Sequence, residues 1–235
     1  MNSPQVHAPH ERTIIAVALS LVGGFLDAYS YLLKGGVFAN AQTGNVVLMF
    51  LAMGGGAFRD MLRYLITVLT FAAGILVAES FKHRAFGTKD PAVFRLRVVL
   101  VIEAFLCALI GLLGPRVPHF AVNCLISFVA AMQVSAFDRL KGNQMATTMI
   151  TGNLKNAMIN AGFFLRTKEA KYLDSFFNYC VVILSFGLGV LLGFLCIGAF
   201  SDLSILAAIP LLCVPLIALG RGQEKKSAPA DAREP

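Results

Sequence analysis

The stretches TGNVVLMFLAM, residues 43–53, and TGNLKNAMINA, residues 151–161, open with the same polar triplet and continue into short, mainly apolar segments. The triplets occupy equivalent places in two longer segments that resemble each other, residues 13–114 and residues 119–220. Self-similarity at a fixed distance is typical of a structural unit that is used more than once. The sequence therefore predicts a chain built from two copies of one unit.

A second match fixes the alignment of the two copies. Residues 68–76 resemble residues 183–191, so that Phe71 and Phe186 occupy equivalent positions. Between the triplet and this match, the second copy is seven residues longer than the first. The polar run 166–171 accounts for this insertion.

The composition is that of a membrane protein. Hydrophobic residues make up 57% of the chain and charged residues 14%, whereas soluble domains carry roughly 25% charged residues. Six apolar runs approach the ~20 residues with which an α-helix crosses a bilayer. Because the runs are continuous, they predict an all-α fold and not a barrel of alternating strands. The runs are residues 13–33, 61–81, 98–114, 120–137, 175–200 and 203–219.

The distribution of charge predicts how these runs cross the membrane. The apolar segment 46–53 is only about half as long as a spanning helix. If it and its counterpart re-enter and return to the same side, 15 Lys and Arg residues lie in the cytoplasm and 4 outside; if both cross, the division is 11 to 8. The positive-inside rule favours the first arrangement. We therefore predict six transmembrane helices plus two short re-entrant half-helices.

Because each copy crosses the membrane three times, an odd number, the second copy has the opposite orientation in the membrane to the first. The predicted fold is two inverted 3+1 repeats, a construction that recurs in transporters and channels. Both termini are predicted in the cytoplasm. Residues 1–12 form an amino-terminal tail, and residues 221–235, rich in charge, Ala and Pro, form a disordered tail.

Each triplet has the composition of a helix start, because Thr is a favourable N-cap and Gly permits a tight turn. In a re-entrant segment these starts lie deep in the protein, where their N–H groups favour anions or polar oxygens. The alternative is that the triplets only end and pack helices. The candidate solute-binding or pore-lining residues are Asp27, Thr43, Gly44, Asn45, Gln133, Thr151, Gly152, Asn153 and Lys155.

Ionisable residues inside apolar segments are candidates because charges are costly in lipid. Asp27 lies deep in the first run, Gln133 lies near the equivalent place, and Lys155 lies just inside the second short helix. We hypothesise that Asp27 and Lys155 approach each other or a shared solute, and that Asp27 carries a coupling proton. The alternative for Lys155 is a side chain that snorkels to the membrane surface. Glu103 is expected to be interfacial or paired with a loop arginine.

Several runs also resemble a known family. Residues 24–31, residues 38–45, and Met132-Gln133 together with residues 147–153 are similar to the YoaK family of bacterial membrane proteins. The resemblance covers nearly the whole chain outside the two tails. It implies a multi-pass protein of the bacterial cytoplasmic membrane, in a family of unknown function.

The sequence does not predict an enzyme, a cofactor or a metal site. The five cysteines lie in apolar runs without C-x-x-C spacing, and the four histidines lack the spacing of metal ligands. The net charge of +7 comes mainly from Lys and Arg between the runs, which indicates topology and not a nucleic-acid partner.

The favoured function is a transporter or channel for a small polar or anionic solute at the interface of the inverted repeats. The bilayer and that solute are the expected partners. A non-transporting assembly or sensor subunit is the alternative, since a fold alone does not establish a function. The solute, the energy source and the oligomeric state stay open, a homo-oligomer included.

Overall fold

A computed structural model describes residues 13–82, 91–137, 139–140, 143–145 and 147–227 of the chain. These residues form α-helices, two 3-10 helices at Gly114–Arg116 and Ser201–Ala207, and one antiparallel pair of two-residue strands, β1 (Arg139–Leu140) and β2 (Asn143–Gln144). The α-helices are α1 (Thr13–Leu33), α2 (Gln42–Gly54), α3 (Phe58–Lys82), α4 (Pro91–Leu113), α5 (His119–Ala136), α6 (Ile150–Thr167), α7 (Ala170–Phe200) and α8 (Ala208–Ser227).

Five helical stretches among the described residues are long and apolar enough to cross a membrane, which confirms the predicted class. They are Thr13–Leu33, Phe58–Lys82, Val93–Arg116, His119–Ala136 and Ala170–Gly220. The last stretch has 51 residues and contains both α7 and α8. The two helices are separated at Ser201, which has a positive φ of 49°.

The helices of the two copies pack reciprocally. In one direction α1 packs against α7 and α8, and in the other α5 packs against α3 and α4. The first helix of each copy therefore lies against the third and fourth helices of the other. The shorter helices follow the same pattern, since α2 packs on α3 and α6 packs on α7. This arrangement is the one expected of two related units that interlock.

Glycines bring the packed backbones close together. A Cβ atom on Gly189 of α7 would overlap the Leu21 carbonyl oxygen of α1, and one on Gly74 of α3 would overlap the Phe128 carbonyl oxygen of α5. Gly74 and Gly189 occupy equivalent positions in the two copies. Small residues at such contacts are the usual means of tight helix packing in lipid, where no hydrophobic force holds helices together.

Helix α1 lies at the centre of the bundle. In its most apolar window 78% of the residues are buried inside the protein, against 22% for Phe58–Lys82 and for Ala170–Gly220. The outer helices present large apolar side chains such as Leu76, Phe105 and Leu188 to the surroundings. The bundle is therefore apolar on its outside as well as in its core, as lipid requires.

The insertion in the second copy lengthens α6 and the start of α7. Helix α6 has 18 residues where α2 has 13, and α7 begins at Ala170, three residues before the position equivalent to Phe58 at the start of α3. Only Lys168 and Glu169 separate α6 from α7, and Lys168 adopts the left-handed conformation with φ 58°.

The predicted tails fall largely outside the described residues. Residues 1–12 and 228–235 are not described. Helix α8 continues to Ser227, so residues 221–227, which we predicted to be disordered, extend the last helix.

We expect Gly189→Leu to destabilise the protein by at least about 1–3 kcal/mol, the usual cost of forcing volume into a packed contact. Gly198→Leu is the matched control, because Gly198 lies on the same helix with nothing within 4 Å of its Cβ position. Thermal unfolding of the purified protein in detergent measures the stability of both variants. Equal melting temperatures of the two variants would contradict the packing described for α1 and α7.

Candidate functional site

A cavity of about 980 Å³ lies between the two copies. Both triplets contribute to its wall, the first through Thr43 and the second through Thr151 and Gly152. Among the described residues that line it, Asp27 is the only charged side chain. The other polar lining residues are Asn40, Gln42 and Thr148, and the aromatic ones are Tyr31, Phe38, Phe71, Phe186 and Phe194.

The segment between α1 and α2 folds back along α1. The Asn40 N–H donates to Asp27 Oδ1 at 2.7 Å, and Asn40 Nδ2 donates to the Gly23 carbonyl at 3.1 Å. Ala39 N–H donates to Ser30 Oγ at 3.1 Å. Gly23 is the eleventh of the 21 residues of α1. Helix α2 therefore begins beside the middle of α1, although α1 itself ends at Leu33.

The second short helix begins at the same level. A Cβ atom on Gly23 would lie 2.5 Å from Thr148 Cγ2, so the segment that leads into α6 also packs on the middle of α1. The starts of α2 and α6 thus share one cavity. Neither has a side-chain cap, because Ala41 and Met149 occupy the N-cap positions. The Thr residues of the triplets are the second residues of their helices and not the predicted caps.

Three residues predicted to line the site lie behind its wall. Asn45 is fully buried; its Oδ1 accepts the Phe38 N–H at 2.9 Å and its Nδ2 donates to the Phe38 carbonyl at 2.7 Å. Gly44 packs on the Phe38 ring, since an added Cβ would lie 2.9 Å from Phe38 Cδ2. Asn153 is also buried and does not line the cavity. These residues hold the turns in shape, which is the alternative role foreseen for the triplets.

Gln133 belongs to a different polar contact. With its amide nitrogen turned toward Glu103, Gln133 Nε2 lies 2.9 and 2.8 Å from the two carboxylate oxygens. Glu103 is 1% exposed, so the expectation that it is interfacial or paired with a loop arginine is wrong. The pair joins α4 to α5 and does not line the cavity.

The structure does not bring Asp27 and Lys155 together. Asp27 is buried and lines the cavity, where it accepts the Asn40 N–H. Lys155 is exposed and is absent from the lining. Lys155 lies one helical turn beyond Thr151 and Gly152 on the same face of α6, so it is displaced by about 5 Å along the helix and falls outside the cavity. The proposed pairing of these two residues is not supported, and the snorkelling alternative fits Lys155 better.

A buried ion pair was missed by sequence reasoning. Lys34, 1% exposed, pairs with Asp202, and its Nζ lies 5.4 Å from the centroid of the Tyr29 ring. Asn123 Nδ2 donates to the Lys34 carbonyl at 2.8 Å. The contact ties the start of the folded-back segment to the break between α7 and α8. The only signal in the sequence was one cation and one acid, each at the end of an apolar run.

Within the described ranges, no group of three or more His, Cys, Asp or Glu side chains is placed to hold a metal ion. The five cysteines are free thiols. The chemistry available in the cavity is therefore that of one carboxylate, a few amides and hydroxyls, aromatic rings, and the N–H groups of two helix starts.

We expect Asp27→Leu to destabilise the protein by about 1–3 kcal/mol, because it leaves the buried Asn40 N–H without its acceptor. Asp27→Asn keeps an acceptor oxygen of similar shape and should lose much less stability. Thermal unfolding in detergent compares the two. If Asp27→Leu were as stable as the unmodified protein, the carboxylate would not be anchoring the segment before α2.

Comparisons with known proteins are consistent with this architecture. The model of a family described as protein of unknown function, DUF1275, matches residues 15–219. The UPF0700 transmembrane protein YoaK of Bacillus subtilis (strain 168) is 26% identical over 183 residues, which cover 75% of this chain and 80% of that protein. No solved structure matches the chain.

Proposed function

The chain belongs to the DUF1275 family and is a multi-pass membrane protein, and we propose that it transports or conducts a small polar or anionic solute through the cavity between its two copies. One observation carries the proposal: both Thr-Gly-Asn helix starts line the same 980 Å³ cavity at the level of the middle of α1. Irregular backbone at membrane depth is tolerated where it is buried in protein or lines a wet cavity.

The contacts at the ends of the helices support a re-entrant α2. A Cβ atom on Gly35 would lie 3.0 Å from Arg63 Nη1, so the first turns of α3 are level with the end of α1. Helix α2 joins the middle of α1 to the start of α3, and its 13 residues extend only about 20 Å. We infer that α2 returns to the side on which α1 ends.

Corresponding contacts support an inverted second copy. Tyr179 Oη of α7 donates to the Gln144 carbonyl at 3.0 Å, near the segment that leads into α6. The Lys34–Asp202 pair joins the end of α7 to the end of α1, and Gly220 of α8 lies near Arg97 of α4. We infer six crossings, two inverted 3+1 repeats, and both termini on the cytoplasmic side of a bacterial inner membrane, as the positive-inside rule favours.

The electrostatics of the cavity restrict the solute. Each helix start carries about half a positive charge, and Asp27, which accepts the Asn40 N–H, adds one negative charge when it is ionised. These contributions nearly balance, so polar oxygens of a neutral solute meet favourable N–H groups without a large charge penalty. We therefore propose a small neutral polar molecule as the preferred solute and a small anion as the second candidate.

The alternative of a non-transporting subunit predicted triplets packed dry, without a cavity between them. Gly44, Asn45 and Asn153 are packed in that manner, but Thr43, Thr151 and Gly152 line the cavity. The cavity is therefore the reason to favour transport.

Single cysteines introduced by Gly36→Cys and Ala57→Cys should react with a membrane-impermeant thiol reagent from the same side of the membrane. Lys168→Cys, between α6 and α7, should react from the other side. The five native cysteines are replaced first. Labelling of Gly36→Cys and Ala57→Cys from opposite sides would show that α2 crosses, and the inverted arrangement would fail.

Gly152→Phe should close the cavity without disturbing the fold, because nothing lies within 4 Å of a Cβ atom on this lining residue. Gly162→Phe is the matched control, since it has the same open space on the same helix but does not line the cavity. A thermal-shift screen of small neutral metabolites and anions first identifies a stabilising compound. Its uptake into proteoliposomes should fall about tenfold or more in Gly152→Phe.

Equal uptake by Gly152→Phe and Gly162→Phe would exclude this cavity as the path. If no compound stabilises the protein and none permeates, the result would favour the alternative of a non-transporting assembly or sensor subunit. In the same assay Asp27→Asn tests proton coupling, because uptake with an unchanged pH dependence would exclude Asp27 as the proton site.

A further inference from the structure

A second cavity, of about 190 Å³, is lined by residues of α3, α4 and α5. It is a cleft between α3 and α4, with part of its floor formed by Met132 and Ala136 of α5. None of its lining residues lines the larger cavity. It therefore has no place in the transport proposal.

The cleft exists because α3 and α4, although consecutive in the chain, touch each other only slightly. Each packs instead on α5. Small side chains, Ala78 on α3 and Ala136 on α5, leave room between them. At the rim Phe81 is 37% and Val98 39% exposed, so the cleft opens sideways, toward the lipid that surrounds the bundle.

One end of the cleft is basic. Among the described residues of the lining, the charged ones are Lys82 and Arg95, and both are cations. Arg95 Nη1 donates to the Lys82 carbonyl at 3.2 Å, which holds the two residues side by side. Glu79, one turn before Lys82, offsets part of the charge through an ion pair at 2.6 Å. The guanidinium of Arg95 has no acidic partner among the described residues.

From this combination we propose that the cleft binds an anionic phospholipid, with one acyl chain between α3 and α4 and the phosphate at Arg95 and Lys82. The acyl chain moves from the apolar interior of the bilayer to the apolar walls of the cleft. The walls therefore match the shape of the chain but hardly discriminate between lipids. Selectivity comes from the headgroup, because basic residues at the membrane surface attract anionic lipids. The guanidinium also presents several N–H donors in a fork that matches a phosphate.

The sequence makes a direct test practical, because the chain contains no Trp. Phe81→Trp places a single fluorophore at the rim of the cleft. Phe105→Trp is the control, since Phe105 is also on the apolar surface, 63% exposed, but does not line the cleft. Each variant is reconstituted into vesicles of phosphatidylcholine and phosphatidylglycerol in which one lipid or the other carries brominated chains that quench Trp.

In the Phe81→Trp variant, brominated phosphatidylglycerol should quench the Trp fluorescence as if it were about fivefold enriched at the cleft over brominated phosphatidylcholine. Roughly one basic residue at the membrane surface is enough for such a preference for an anionic lipid. At Phe105→Trp the two lipids should quench equally. Adding Arg95→Gln to Phe81→Trp should abolish the preference, and adding Lys82→Gln should reduce it. Arg97→Gln is the matched charge control and should leave it intact, because Arg97 does not line the cleft.

The proposal fails if the two lipids quench Phe81→Trp equally, or if Arg95→Gln keeps the preference while remaining folded by thermal unfolding. It also fails if neither lipid quenches Phe81→Trp, which would mean that a second copy of the chain covers the cleft. Inorganic phosphate should not displace the bound lipid, and displacement would show that the basic end is only an anion site. None of these outcomes depends on transport.

Discussion

The fold depends on satisfying the backbone of a non-helical segment in the middle of an apolar bundle. Residues 34–41 leave the end of α1, return along it, and reach its midpoint at Asn40 and Gly23. Unpaired N–H and C=O groups at that depth would each cost several kcal/mol in lipid. The side chains of Asp27, Ser30 and Asn45 supply the missing partners. The folded-back course of this segment is therefore specified by side chains, where a continuous helix would need none.

The same constraint explains why the candidate site is shared between the copies. The short helices pack within their own copies, α2 on α3 and α6 on α7, and the reciprocal packing of α1 with α7 and of α5 with α3 brings their starts together. Glycines at 74 and 189 let those backbones meet. The cavity lies where the two starts approach each other, and so its wall belongs to both copies.

Much of this was predictable from the sequence. The apolar runs predicted the long helices, the repeated triplet predicted the short ones, and the resemblance to the YoaK family is confirmed by the comparisons. The six-span topology derived from the charge count stays a prediction. The division of the triplets into lining and packing residues was not predictable, because it depends on which side of a helix start the fold covers. Lys155 was misjudged because it lies one turn further along α6 than the lining residues, beyond the cavity. The burial of Lys34 and Glu103 was missed because each depends on a partner distant in sequence, Asp202 for Lys34 and Gln133 for Glu103.

The central position of α1 also has a consequence for how the protein is made. This helix is synthesised long before its main packing partner, α7, which begins at Ala170. During the interval α1 must reside in the bilayer without α7, and Asp27 would be a charge in lipid. Its hydrogen-bonding partner Asn40 lies only 13 residues further along the chain. The returning segment can thus shield the carboxylate early in membrane insertion, long before the second half of the polypeptide arrives.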